Sequence, residues 1–290
     1  MPAASDTMHP VEDPDIAAFE AQFGKAPSRV AKIWSALWPK LLAVALFVGV
    51  WQVVVWTGWR DEFVLPSPFT VFDQFWQDKS TLWDATQTTL VRAIKGYSLA
   101  LVIGVVVGLL VSRSRILRSG VGSMITGLQT MPSIAWFPAA IVVFGVGKEA
   151  PILFVVVLGA APSIANGLIN GVDTIPPVLL RAGRVLGARG LSSIRHVVLP
   201  AALPSFIGGL KQGWAFAWRS LLAGELIVLI AGKASLGQEL QGARDLNRYQ
   251  DMYSVMVMIF IIGVVVDALL FGTVERWIRR RYGLLDATEA

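Results

Sequence analysis

Long apolar segments alternate with short polar loops along most of the chain. The hydrocarbon core of a bilayer is roughly 30 Å thick, and an α-helix needs about 20 residues to cross it. Six of the apolar segments are long enough, so the pattern predicts six membrane-spanning helices. Their approximate bounds are residues 41–57, 90–111, 121–146, 152–171, 200–230 and 253–271.

Prolines interrupt the third and fourth predicted spans. Pro132 and Pro138 lie in the third, and Pro162 lies in the fourth. A proline inside a helix removes a backbone hydrogen bond and clashes with the preceding turn. We therefore expect both helices to bend or open locally, where surrounding protein or a cavity can accommodate the freed backbone groups.

The composition is that of a membrane protein. Of 290 residues, 54% are hydrophobic and only 16% are charged, and the mean hydropathy is +0.61. A single water-soluble core cannot bury that much apolar surface. The predicted fold class is therefore an all-α polytopic membrane protein with about six transmembrane helices.

The positions of Lys and Arg predict the orientation in the membrane. Basic residues are concentrated before span one, after span two, between spans four and five, and after span six, whereas the other loops are mixed or acidic. Since basic loops stay in the cytoplasm, both termini are expected there. Arg92 and Lys95 do not fit this arrangement, and we expect residues 83–96 to lie in the membrane interface as an amphipathic helix.

The same pattern divides the chain into three parts. Residues 1–38 are expected to form a cytoplasmic tail that is partly disordered or amphipathic, residues 39–282 the transmembrane domain, and residues 283–290 a short C-terminal tail. The first apolar run starts about forty residues into the chain and no small-residue cleavage site follows it, so we expect it to remain as an anchor.

A polar, arginine-rich segment at residues 181–200 separates the fourth span from the fifth. It contains no acidic residue, and its apolar residues recur at helical spacing, which predicts a short amphipathic helix or helix pair. Two interpretations are open. The segment is either a docking surface for a cytosolic protein or a basic loop on anionic lipid headgroups.

The spacing within this segment resembles the cytoplasmic signature of permease subunits of ATP-binding-cassette (ABC) importers. Arg181, Ala182 and Gly183 occupy the triplet Glu-Ala-Ala of that signature, with Arg and Gly as departures, and Gly187 occupies its glycine. The resemblance implies a coupling helix within residues 176–197 that docks on an ATPase subunit. The implied contact residues are Arg181, Ala182, Gly183, Leu186, Gly187, Ala188, Leu191, Val197, Leu199 and Pro200.

Residues 128–147 and 217–227 look like the corresponding segments of permeases in the nitrate, sulfonate, taurine and bicarbonate branch of that family. The resemblance implies the type I importer permease fold in a bacterial cytoplasmic membrane and transport of a small anionic solute. It also implies three partners besides membrane lipid: a second permease copy, most simply as a homodimer, two ATP-binding subunits and an extracytoplasmic solute-binding protein. ATP and Mg would be bound by the ATPase, and this chain would need no cofactor of its own.

Charged residues inside the fifth span are candidates for the translocation path, because each costs a few kcal/mol at the centre of a lipid-facing helix. Lys211 and Arg219 could receive an anion, or either could form an ion pair with Glu225 or Asp267 that locks two helices together. At 100° per residue, one arc of this span about 100° wide contains Lys211, Trp214, Ala215, Trp218, Leu222 and Glu225, and Arg219 lies beside it. The candidate path residues are Gln129, Ser133, Asn166, Asn170, Lys211, Trp214, Trp218, Arg219 and Glu225.

The sequence also argues against several other functions. The Gly-Lys pairs at Gly147 and Gly232 lack the first glycine and the final Ser or Thr of a phosphate-binding loop, so we expect no nucleotide site in this chain. It has no cysteine and two histidines, which disfavours a metal centre. Its pI near 9.7 follows from the basic loops, and no nucleic-acid partner is expected. The alternatives to an importer permease are an ion-coupled secondary transporter and a membrane scaffold that recruits a cytosolic partner.

Overall fold

A computed structural model describes residues 29–282 of the chain. The helix α1 (Arg29–Trp56) belongs to a compact unit that ends at Arg60. Its residues 37–56 are apolar and long enough to cross a membrane, as predicted for the first span. The predicted cytoplasmic tail lies outside the described residues up to residue 28, and residues 29–38 form the beginning of α1. The predicted C-terminal tail, residues 283–290, also lies outside the described part.

The second compact unit begins at Asp61 and contains the other helices. The helices are α2 (Pro68–Gln77), α3 (Lys79–Arg113), α4 (Arg115–Thr130), α5 (Phe137–Phe144), α6 (Ala150–Asp173), α7 (Pro177–Val185), α8 (Leu191–Ile227), α9 (Leu236–Asp245) and α10 (Tyr249–Arg281). Helices α8 and α10 each contain a π-helical turn, at Ile194–Val198 and at Val266–Phe271 respectively.

Local sequence explains where several helices begin and end. Ser67 caps the first turn of α2 by accepting a hydrogen bond from the Thr70 amide, and Pro68 follows in the first turn, where a missing N–H costs nothing. Ser114 has an extended backbone that ends α3, and its side chain accepts a hydrogen bond from the Leu117 amide. A single residue, Ser114, thus ends one helix and caps the next.

The helix α6 is the centre of the second unit. In its most apolar stretch 72% of the residues are buried, against 28% for α3 and 17% each for α8 and α10. It packs against α3 on one side and α8 on the other. A Cβ atom on Gly167 would lie 2.5 Å from the Cα atom of Gly209, so the α6 and α8 backbones touch there. Small residues allow this close approach between membrane helices.

The structure confirms the all-α fold, and its described residues contain no β-strand. Among residues 29–282, five helices are long and apolar enough to span a membrane. The third predicted span is broken into residues 116–130 and 133–144, which meet at 101°. The break coincides with Pro132, as expected from the sequence. At Pro162 the helix α6 continues and does not open into two helices.

The structure shows no separate amphipathic helix at residues 83–96. These residues belong to one continuous helix, α3, and Arg92 is only 1% exposed. Two carboxylates from distant parts of the chain neutralise its charge, which allows the guanidinium to be buried within the bundle.

Candidate functional site

The segment with the importer-like signature folds as α7, a tight turn and the first residues of α8. The Gly187 amide donates to the Arg184 carbonyl at 3.1 Å, and the Ala188 amide donates to the Gly183 carbonyl at 2.9 Å. Together these two bonds form a Schellman motif, which requires a left-handed residue after the helix. Gly187 has φ of +84°, a conformation that glycine adopts without steric cost. The glycine of the signature is therefore the residue that ends α7.

The same segment packs on itself through Gly183. A Cβ atom at this position would lie 2.7 Å from Cγ2 of Val197, which belongs to the π-helical turn at the start of α8. Gly183 is buried. The second small residue of the signature triplet, Gly183, thus lies where α7 packs against α8. The contact fixes the angle between the two helices.

The turn between α7 and α8 exposes a compact apolar surface. Val185, Leu186 and Leu191 are 87%, 86% and 82% exposed. Four exposed arginines surround them, namely Arg181, Arg184, Arg189 and Arg195. We call Val185, Leu186 and Leu191 with these four arginines the coupling tip. Of the other predicted contact residues, Ala182 and Leu199 are exposed, whereas Ala188, Val197 and Pro200 are partly buried.

Several predicted path residues meet at the break between α4 and α5. Gln129 donates to the Ser163 hydroxyl at 2.9 Å and accepts a hydrogen bond from the Asn166 amide group at 2.7 Å. On the other side of the break, the Ser220 hydroxyl donates to the Ser133 hydroxyl at 2.7 Å. These bonds join the broken span to α6 and α8. Asn170 is exposed one turn beyond Asn166 on α6.

Arg219 lies next to this polar region, on the exposed side of α8. Its Nε atom donates to the Ala215 carbonyl at 3.1 Å, and its guanidinium lies 5.1 Å from the centre of the Phe216 ring. Within residues 29–282, no carboxylate comes within ion-pair distance of it. An exposed cation without a carboxylate partner inside an apolar helix is expensive in lipid, so a polar environment is expected to cover it.

Lys211, also on α8, has a partner. Its Nζ atom lies 3.2 Å from Oδ1 of Asp267, at the beginning of the π-helical turn of α10. This is one of the pairings left open by the sequence. A cleft of about 600 Å³ extends from Lys211 between α8 and the end of α10, where Glu275 and Arg279 line it.

The predicted arc along α8 does not form one surface. Trp214 and Trp218 are buried, and their stacked rings have centres 6.1 Å apart. The Tyr97 ring of α3 lies nearly perpendicular to the Trp214 ring, with the two centres 5.4 Å apart. Lys211 and Arg219 are accessible, in contrast to the two tryptophans. Residues on one helical arc can still differ in burial, because α3 and α10 cover only part of it.

Glu225 has partners that the sequence did not indicate. Its Oε1 accepts from Arg92 Nη1 at 2.9 Å, and its Oε2 accepts from the Thr89 hydroxyl at 2.9 Å and from the Gly237 amide at 3.2 Å. Glu225 is fully buried, so in this conformation it offers no surface to a solute. The pairing with Lys211 or Arg219 that was considered from sequence is wrong. The misplaced charge of Arg92 was the one sequence signal that could have revealed this network.

Glu149, in the loop before α6, extends this cluster to the protein surface. Arg92 Nε lies 3.4 Å from it and Lys95 Nζ lies 3.3 Å from it. Partial burial raises the pKa of the Glu149 carboxyl, but the hydrogen bonds and charges of Lys95 and Arg92 outweigh this effect and lower the pKa overall. Glu149 is therefore held in its charged form.

Residues 100–282 match the family model described as the inner membrane component of binding-protein-dependent transport systems. The chain belongs to this family. It is thus a multi-pass permease of an ABC importer, and the matched residues include the break, the coupling tip, Arg219 and Glu225.

Relatives with named transport systems cover most of the permease. It is 28% identical over 274 residues to the bicarbonate transport system permease of Synechococcus elongatus, covering 89% of this chain and 96% of the relative. It is 27% identical over 236 residues to a Bacillus subtilis permease named for aliphatic sulfonates, covering 80% and 84%. It is also 29% identical over 257 residues to the riboflavin transport system permease of Chloroflexus aurantiacus, covering 87% and 94%.

A solved structure supports the fold. A chain of the MetNI methionine ABC transporter, in an inward-facing form, superposes with a TM-score of 0.60 over 70% of the permease and 98% of that chain. The sequence identity is 22%, so this likeness concerns the fold alone.

Proposed function

We propose that this permease imports a small anionic solute and is driven by a separate ATPase that binds the coupling tip. The observation that carries the proposal is the exposure of Val185, Leu186 and Leu191 on a turn whose backbone is fixed by a Schellman motif. Three large apolar side chains that stay exposed on a rigid turn suit a preformed protein contact, in which a few apolar anchors supply most of the binding energy.

The surrounding charges favour a protein over a lipid surface as the partner. The arginines of the coupling tip alternate with its apolar side chains along the end of α7, the turn and the start of α8, and both kinds of side chain are exposed. An interfacial helix would instead separate one apolar face from one charged face. A groove with apolar walls and an acidic rim would satisfy both kinds of group on the coupling tip.

For the translocation path, we propose the region around the break between α4 and α5 with Arg219 at its edge. The bent span brings Gln129 within hydrogen-bond distance of Ser163 and Asn166 of α6, and Ser133 within hydrogen-bond distance of Ser220 of α8. The Arg219 Nε atom is bonded to its own helix, and within residues 29–282 its Nη groups form no ion pair, so we propose that they bind the anion. Asn170 and Lys211 extend this polar region toward the coupling tip, whereas Trp214, Trp218 and Glu225 support it from within the core.

The proposal of an anionic solute rests on these cationic groups and on two of the relatives, which are named for bicarbonate and for aliphatic sulfonates. The relative named for riboflavin is equally similar, so overall identity does not select the solute. Arg219 does favour an anion, since a guanidinium at membrane depth is stabilised most by a negatively charged ligand.

The proposed assembly contains two copies of this permease, two ATP-binding subunits and an extracytoplasmic solute-binding protein. ATP and Mg would be bound by the ATPase subunits, and hydrolysis would take place there. Both termini and the coupling tip would face the cytoplasm, as the basic loops indicate. The basic surface would then serve lipid headgroups and the ATPase, and no nucleic acid.

The coupling role can be tested with Gly187→Trp, which forces a bulky residue into the turn that presents the coupling tip. We expect the permease to reach the membrane in normal amounts, but the ATPase to be lost on purification and solute uptake to cease. Val146→Trp is the matched control, since Val146 is 80% exposed in the loop between α5 and α6. Unchanged ATP-dependent uptake by Gly187→Trp would overturn the proposal. Uptake driven by a proton gradient would support a secondary transporter, and a bound partner without uptake would support a scaffold.

A further inference from the structure

The helix α8 connects the coupling tip directly to the buried cluster around Glu225. It begins at Leu191, within the coupling tip, and continues without a break to Ile227. At 1.5 Å per residue its 37 residues extend for about 55 Å. The coupling tip and Glu225 thus lie on the same continuous helix.

At its far end, α8 holds the segment that returns from it toward α9. We call residues 228–237 the return segment. The Gly237 amide donates to Glu225 at 3.2 Å, and the Leu236 amide donates to the Thr89 hydroxyl at 3.0 Å. Thr89 in turn donates to Glu225. A Cβ atom on Gly237 would overlap the Cβ atom of Glu225, so the two backbones are in direct contact.

The buried position of this cluster makes the attachment stiff. Glu225, Thr89 and Arg92 are all at most 1% exposed, and their hydrogen bonds have no competition from water. In a low-dielectric interior, charge-assisted bonds are shorter and stronger than neutral ones. Releasing the return segment would break the bond from the Gly237 amide to Glu225 and would leave the Leu236 amide without its Thr89 partner, which is costly in a buried site.

We propose that Glu225 is a positioning residue that joins α8 and the return segment into one mechanical unit, so that movement of the coupling tip reaches the opposite end of the permease. This inference rests on the proposed coupling function. Glu225 is expected to act through Thr89 and Gly237 rather than by touching the solute. The return segment would then move with α8 and would report the state of the ATPase at the other end of the bundle.

The attachment can be measured in the isolated permease because the chain contains no cysteine. Nitroxide labels on Gln212→Cys in α8 and Ala234→Cys in the return segment, both exposed positions, would give a distance by pulsed electron paramagnetic resonance. Unlabelled permease should be added in excess, so that distances between copies do not contribute. We expect a narrow distribution in the otherwise unchanged protein and a broad one in Thr89→Val, which keeps the side-chain shape but removes both hydrogen bonds.

Two further variants separate a positioning role from a general loss of stability. Thr89→Ser restores the hydroxyl and should restore the narrow distribution. Ser254→Ala removes another buried hydroxyl, which donates to the Val71 and Gln250 carbonyls away from α8, and should leave the distribution narrow. Broadening in Ser254→Ala, or no broadening in Thr89→Val, would overturn the proposal.

The consequence for transport is tested in the complete importer, reconstituted with its ATPase and binding protein. For Thr89→Val, solute imported per ATP hydrolysed should fall roughly tenfold, the factor expected when one buried donor loses its partner, while hydrolysis itself continues. If Thr89→Val transports normally while Gly187→Trp does not, the positioning role fails and the coupling function stands. If both transport normally, the coupling function fails as well.

Discussion

The contact between Gly183 and Val197 gives the sharpest quantitative prediction. Gly183→Ala would place a Cβ atom 2.7 Å from Cγ2 and 3.5 Å from Cγ1 of Val197. Valine in a helix has one strongly preferred rotamer, so its methyl groups cannot easily move away. Overpacking of this kind costs about 1 to 3 kcal/mol. Replacing glycine by alanine within a helix also stabilises the helix by about 1 kcal/mol, because alanine has the higher helix propensity.

The sign of the effect therefore depends on Val197. In the original background, Gly183→Ala should destabilise the α7–α8 contact by up to about 2 kcal/mol, which is the overpacking cost less the gain in helix propensity. In a Val197→Ala background both Cγ atoms are absent, and the same substitution should stabilise α7 by about 1 kcal/mol. A reversal of sign distinguishes packing from any general effect of alanine.

Hydrogen exchange of individual amides measures this local stability directly. The Ala188 amide donates to the Gly183 carbonyl. In Gly183→Ala it should exchange up to about thirtyfold faster than in the unchanged protein, since 1.4 kcal/mol corresponds to a factor of ten. In the double variant it should exchange more slowly than in Val197→Ala alone. Amides in the centre of α6 should not change. Equal exchange in all variants, or acceleration that Val197→Ala fails to reverse, would refute the packing of α7 on α8.

Three other predictions concern single positions. Gly187→Ala should destabilise the turn by about 1 to 2 kcal/mol, because alanine disfavours the left-handed backbone conformation at this position. No steric clash adds to this cost, since nothing lies within 4 Å of the new Cβ atom. Faster local amide exchange with an unchanged melting temperature would show this. Arg92→Gln should lower the free energy of unfolding by about 3 to 5 kcal/mol, because the buried Glu225 carboxylate loses its cation. Lys95→Gln should lower it by at most about 1 kcal/mol, because Lys95 is exposed. Thermal unfolding in detergent compares the two variants, and equal losses of stability would contradict the burial argument. Because the pKa of Glu149 is lowered in the folded protein, its contribution to stability should be present above the ordinary glutamate pKa of about 4.3 and should disappear as the pH falls through the lower folded value. Lys95→Gln should reduce this pH dependence of the stability. An unchanged profile of stability against pH would contradict the role of Lys95.

Local sequence was sufficient for the features that depend on neighbouring residues. Apolar length determines which segments can form spans, and Pro132 breaks the third span because it cannot donate a helical hydrogen bond. The spacing of the signature pointed to the correct family. It also placed glycine at residue 187, where the turn needs a left-handed residue.

Local sequence failed where a property depends on what lies opposite a helix. The pairing of Arg92 with Glu225 joins residues 133 positions apart, and no helical period encodes such a partner. The arc on α8 correctly grouped Trp214 with Lys211, but it could not show that the tryptophan is buried whereas the lysine reaches a cleft.

Periodicity along a chain thus determines which side chains share a face of a helix, because the helical geometry is the same everywhere. Which of those faces meets lipid, solute or another helix is decided by the tertiary packing of α3, α6 and α8. Only there do charges from distant segments come close enough, and far enough from water, for burial of Glu225 and Arg92 to be stable.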